Sequence, residues 1–145
     1  ERLGRLRGKH VALLGLTFKP HTDDLREAAS IVLAARLRAE GARVSAYDPM
    51  VAPGARADLF PGVAIATSAL AALEGADAAV LVTEWPELVA LDWTVVRDVM
   101  RGACVIDGRN ALDAALLAAA GLSCDGIGTV APVAIGDSVT SDEAR

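Results

Sequence analysis

A chain of 145 residues is long enough for one domain with one true core, since folding at this length buries about 70% of the unfolded chain's surface. Hydrophobic residues make up 53% of it but aromatic ones only 3%, so that core must be built from Ala, Val, Leu and Ile. The formal net charge of −5 argues against a nucleic-acid partner, which clustered Lys and Arg would have to grip, and no apolar run approaches the ~18 residues of a membrane span.

The chain opens with neither Met nor a signal-like apolar segment, as expected of a soluble piece of something longer. Arg2, Arg5, Arg7 and Lys9 come first, and residues 1–8 read as a solvated linker from a preceding domain. Val11-Ala12-Leu13-Leu14 then reads as a strand buried on both faces, broken at Gly15. Further strand signals fall at 43–47, 63–66, 78–82, 103–106 and 122–127. Helix-length Ala/Leu-rich segments lie between them at 28–40, 68–74, 93–100 and 112–120. This alternation predicts βαβ units, hence an α/β, Rossmann-like three-layer sandwich around a mainly parallel sheet.

Local chemistry suggests several boundaries. Asp24 with Glu27 resembles a capping box for the first helix, although that helix could start as late as Ser30. Gly41 suits the left-handed residue after its end, and Asp92 and Gly102 bracket a later helix. Prolines and glycines make 48–62 loop-rich, and residues 129–145 lose periodicity, as expected of a mobile tail.

The polar groups gather where strands end, at the carboxyl edge on which open α/β folds bind ligands. Gly15 stands alone, so the first turn fails the G-x-G-x-x-G fingerprint, and a nucleotide here would have to be held by side chains, with Lys19 and Arg26 the candidates. The alternative is that both cations pair with Asp23, Asp24 and Glu27 on a solvated face. The Asp23-Asp24 pair also resembles that of phosphorylated receivers, but lies too far beyond its strand. It also lacks a third oxygen ligand for a metal, so no metal site is expected. Asp48, closing the second strand, could hold ribose hydroxyls but is better read as a turn-former with Pro49. Glu84 and Trp85 either line a cleft or cap the next turn. Arg109, delivered by the strand ending in Asp107 and Gly108, has the planar fork that suits phosphate or carboxylate, unless it merely pairs with Asp107. His10 and His21 have no nucleophile beside them and read as surface histidines, so no catalytic residue is assigned. Cys104 and Cys124 sit in strand-like runs without ligand spacing, as expected of buried reduced thiols in a cytoplasmic protein.

Five segments carry a resemblance: Gly15-Leu16-Thr17-Phe18-Lys19-Pro20, Thr22-Asp23-Asp24-Leu25-Arg26-Glu27, Ala46-Tyr47-Asp48-Pro49, Thr83-Glu84-Trp85 and Val105-Ile106-Asp107-Gly108-Arg109-Asn110. In order and spacing, from about Leu6 to Gly128, the chain resembles the carboxyl-terminal UDP-binding domain of the UDP-glucose/GDP-mannose dehydrogenase family, and Gly126-Ile127-Gly128 resembles its closing signature. The resemblance implies oxidation of a nucleotide sugar, UDP-glucose above all, to a uronate in two NAD-dependent hydride transfers. It implies NAD held mainly by an amino-terminal domain, a central helical domain, and catalytic Cys, Lys and Glu residues in the region before this chain, within a cytoplasmic homodimer. The resemblance makes Phe18, Lys19 and Arg109 substrate contacts and lets Arg26 reach toward the NAD phosphates. Ala29 departs from the family's Pro, while Thr17 and Trp85 favour the UDP-glucose branch over those for GDP-mannose and UDP-N-acetylmannosamine. Residues 9–128 would form the nucleotide-sugar-binding unit. The contrasting reading is a structural module whose apolar faces mediate association.

Overall fold

The computed structural model describes residues 5–25, 28–54 and 56–126. Six strands, β1 (His10–Leu14), β2 (Arg43–Tyr47), β3 (Ala64–Ile65), β4 (Ala78–Leu81), β5 (Cys104–Asp107) and β6 (Ser123–Gly126), form one sheet in the order β3-β2-β1-β4-β5-β6. Every pairing is parallel, as the alternation of strands and helices predicts. Five helices connect them: α1 (Ala29–Ala39), α2 (Ala69–Leu73), α3 (Pro86–Val89), α4 (Trp93–Val99) and α5 (Ala114–Ala119).

The central strand shows why the apolar run at 11–14 is continuous rather than alternating. Val11 and Leu13 face a core shared with Ala34 of α1, Val44 and Ala46 of β2, and Phe60. Ala12 and Leu14 face a second core with Leu73 of α2, Leu88 of α3, Val96 of α4 and Leu117 of α5. Both faces are covered, so both sets of side chains must be apolar.

Helix starts follow the expected chemistry, with one correction. Ser68, Asp92 and Asp113 each accept hydrogen bonds from the backbone N–H groups that open α2, α4 and α5. Asp24 does not cap α1: the preceding residue is Ala28, without a side-chain cap, and Glu27 lies outside the described residues. The first helix is anchored instead by Ser30, whose buried hydroxyl donates to the Leu16 carbonyl at 2.6 Å. At its other end Gly41 takes the left-handed conformation, with φ of +92°, as its position predicts. The short α3 has no periodic signature in the sequence; Pro86 in its first turn supplies a preset φ.

His10 is not a surface residue. It is half-buried at the amino edge of the sheet, with Nε2 2.7 Å from Ser45 Oγ. The Ser45 hydroxyl is committed to the Ala72 carbonyl at 2.6 Å, so the imidazole is the donor to Ser45. Desolvation, with the nearby Arg43 charge second, lowers its pKa.

Candidate functional site

The carboxyl ends of the central strands are level: Leu14 pairs with Tyr47 and with Leu81, and Leu81 pairs with Asp107. The loops after β1, β2, β4 and β5 therefore leave the sheet at one edge. Strand order reverses between β1 and β4, which is the crevice where open parallel sheets bind ligands.

That crevice is closed at its base by side chains. Gly15 has φ of +90°, and a Cβ placed there would lie 2.5 Å from Thr83 Cβ and 2.6 Å from Thr83 N. The Thr83 hydroxyl, fully buried, donates to the Thr17 carbonyl at 2.6 Å. Asp48 is also buried, and its Oδ2 accepts from Leu16 N at 2.6 Å, Thr17 N at 3.0 Å, the Thr17 hydroxyl at 3.2 Å and Trp85 Nε1 at 3.1 Å. Its Oδ1 accepts from Met50 N, completing the turn with Pro49 that the sequence suggests. With both oxygens engaged inside the protein, Asp48 does not present a carboxylate to a ribose. Trp85 is likewise buried rather than lining a cleft, and His21, exposed with φ of +66°, meets it edge to face at 5.4 Å between ring centres.

Above this base the loop projects its functional candidates. Phe18 N donates to the Asp24 carbonyl at 2.7 Å, and the Thr17 hydroxyl, whose one proton is shared with Asp48 Oδ2, lies 3.0 Å from the Lys19 carbonyl, so the loop is closed on itself. Thr22 Oγ1 accepts from Asp24 N at 3.1 Å. The Phe18 side chain is 50% exposed, which is costly for a ring unless something covers it. Lys19 is exposed and has no ion-pair partner among the described residues, so it does not pair with Asp23 or Asp24. Arg26 lies outside the described residues.

Arg109 reaches the same edge from β5, and its guanidinium pairs with Glu84 rather than Asp107. Nε is 3.0 Å from Glu84 Oε1, and Nη2 donates to Oε2 at 3.4 Å. Asp107 instead accepts from the backbone N–H groups of Arg109 and Leu112, and so shapes the turn. A continuous path of contacts thus runs from Arg109 through Glu84, Trp85 and Thr17 to Phe18 and Lys19. An open groove of about 290 Å³ between α1 and Leu59–Val63 shares no residue with this edge.

Among the described residues no three His, Cys, Asp or Glu side chains are placed to hold a metal, and no helix is long and apolar enough to cross a membrane. Cys104 is buried and Cys124 half-buried, and no disulfide links them. Burial, with Asp107 and Asp125 adding to it, pushes the Cys124 pKa up, away from nucleophilic character.

Comparison with known proteins bears on what this edge is for. Residues 12–114 match the model of the UDP binding domain of the UDP-glucose/GDP-mannose dehydrogenase family. The chain belongs to this family. It is 47% identical over 130 residues to the UDP-glucose 6-dehydrogenase of Pseudomonas aeruginosa, an alignment that takes in 86% of this chain and 29% of that protein. The structure of a UDP-glucose dehydrogenase from Pyrobaculum islandicum superposes with a TM-score of 0.65 at 42% identity, covering 76% of this chain and 24% of that one. An NDP-N-acetyl-D-galactosaminuronic acid dehydrogenase from Methanosarcina mazei gives a TM-score of 0.75 at 30% identity, covering 88% and 26%. The chain thus spans less than a third of the length of these dehydrogenases, and within the family it corresponds to the UDP binding domain.

Sequence reasoning put Phe18, Lys19 and Arg109 at the strand ends, where the structure places them, but missed the bonds beneath the first loop. Asp48, Thr83 and Trp85 were visible only as strand-end residues, and nothing local shows that they converge on one carbonyl, two amides and one hydroxyl 31 to 68 positions away.

Proposed function

We propose that this chain grips the UDP-sugar in an NAD-dependent UDP-glucose 6-dehydrogenase that converts UDP-glucose to UDP-glucuronate. The observation that carries the reading is an exposed Lys19, without an ion-pair partner among the described residues, and Arg109 on one edge of a parallel sheet, both within the stretch that the family model matches. In this proposal Lys19 and Arg109 meet the diphosphate and sugar, Phe18 packs on the ligand, and Arg26 reaches toward the NAD phosphates. The half-exposed Arg109–Glu84 pair is worth at most about 1 kcal/mol, whereas a charge-assisted hydrogen bond to phosphate is worth roughly 1.5–3 kcal/mol. A diphosphate can therefore take over the guanidinium.

The first turn does not fit a dinucleotide. The turn has Gly15 but not the further glycines of the fingerprint, so in this proposal NAD belongs mainly to the NAD-binding domain of the whole enzyme. No reaction step is assigned to this chain: its role is to bind and orient. The same proposal divides it into a linker over residues 1–8 and a binding unit from residue 9, and places it in a cytoplasmic homodimer. The two cysteines, not joined in a disulfide, accord with that compartment.

A steady-state comparison tests the reading. In the full-length enzyme, Arg109→Ala and Lys19→Ala should each raise KM for UDP-glucose about tenfold or more, the loss of one charged hydrogen bond. A KM for UDP-glucose indifferent to both substitutions refutes it. The Methanosarcina likeness supports a second reading, another nucleotide sugar on the same edge. Comparing kcat/KM for UDP-glucose, UDP-N-acetylmannosamine and GDP-mannose decides between the two.

A further inference from the structure

We propose that Asp48, Thr83 and Trp85 are positioning residues for the UDP-sugar site: they touch no ligand but lock the backbone beneath Phe18 and Lys19 in the orientation that binds. The inference rests on the proposed function and adds to it the part of the molecule that sets affinity.

The geometry is asymmetric in a way that plain loop stability does not require. Five side-chain hydrogen bonds from three residues fall on two adjacent residues, Leu16 and Thr17. All three of those side chains are at least nine-tenths buried, at 1%, 0% and 7% exposure for Asp48, Thr83 and Trp85. The next two residues, Phe18 and Lys19, are exposed. A buried carboxylate is costly unless fully hydrogen-bonded, and a well-packed apolar group often serves stability as well or better. What the carboxylate supplies here, and an apolar group cannot, is a fixed direction for two successive N–H groups. Thr83 fixes the carbonyl that follows them, and Trp85 ties Asp48 to the loop after β4, which also carries Glu84, the partner of Arg109. The buried network thus holds the backbone that leads into Lys19 and includes the chain neighbour of Glu84, which pairs with Arg109 at the surface. Ordering that the protein has already completed is not charged to the ligand on binding.

The test uses the full-length enzyme with Thr83→Val, which removes one hydroxyl and keeps the shape, and Trp85→Phe, which removes the indole N–H and keeps an aromatic ring. Each should raise KM for UDP-glucose at least fivefold, with kcat within about twofold and KM for NAD unchanged, the signature of lost ground-state binding. Thr83→Ser, which retains the hydroxyl, should restore the wild-type KM. Asp92→Ala, which weakens the start of α4 away from this loop, should lower the thermal midpoint without moving KM. The inference is overturned if either folded variant keeps the wild-type KM, or if Asp92→Ala raises KM as much at an equal loss of thermal midpoint. Should Thr83→Val not fold, Trp85→Phe alone decides. Lys19→Ala and Arg109→Ala run alongside: if they raise KM while the buried variants do not, positioning fails and the binding reading stands. If they too are silent, the binding reading falls and takes this inference with it.

Discussion

Replacing Gly15 by Ala tests how closely β1 and β4 are fitted at the strand ends. The new methyl group meets two costs. A φ of +90° strains any L residue by about 1–2 kcal/mol, and a Cβ 2.5 Å from Thr83 Cβ and 2.6 Å from Thr83 N must push aside the backbone just after β4, at about 1–3 kcal/mol more. With a urea m-value of about 1.5 kcal/mol/M, the combined loss lowers the unfolding midpoint by about 1.5–3 M. Gly75→Ala separates the terms, because Gly75 has φ of +74° with nothing within 4 Å of the added atom. It pays only the backbone strain and should fall by about 1 M. Urea titration followed by far-ultraviolet circular dichroism on both variants makes the comparison. If Gly15→Ala falls no further than Gly75→Ala, the contact with Thr83 does not limit the fit and the reasoning fails.

Two further outcomes follow from burial. Leu117 and Leu116 are neighbours on α5, but Leu117 is fully buried and Leu116 is 59% exposed. Leu117→Ala should cost about 2–5 kcal/mol and Leu116→Ala no more than about 0.5 kcal/mol in denaturant titrations; equal effects would contradict the helix orientation. For His10, burial and Arg43 hold the folded pKa below 6.5, so the unfolded chain takes up its proton first as pH falls. Its contribution is intact above the unfolded value and is lost as pH drops toward the folded one. Urea midpoints at about pH 7.5 and about pH 5.5 should therefore drop more in the wild type than in His10→Gln, and an equal drop would show that His10 is not the titrating group.

What the amino-acid order determined by itself is whatever depends on near neighbours. The doubly buried run Val11–Leu14, the cap at Asp92, the left-handed Gly41 and the alternation of strands with helices follow from periodicity and turn chemistry within a few residues. Likewise Lys19 and Arg109 could be assigned to strand ends because each lies within a few residues of an apolar run that stops. Tertiary structure decided the rest. It gave Arg109 to Glu84, 25 positions away, instead of to Asp107 beside it, and turned Asp48 inward to serve backbone groups and an indole drawn from two other strand ends. It also started α1 after an uncapped Ala28, because Ser30 could be tied to the Leu16 carbonyl across the crevice. The physical reason is common to these cases. A polar group leaving water must find a partner, and which one it finds depends on the strand order that brings β1, β2, β4 and β5 side by side, not on separation along the chain.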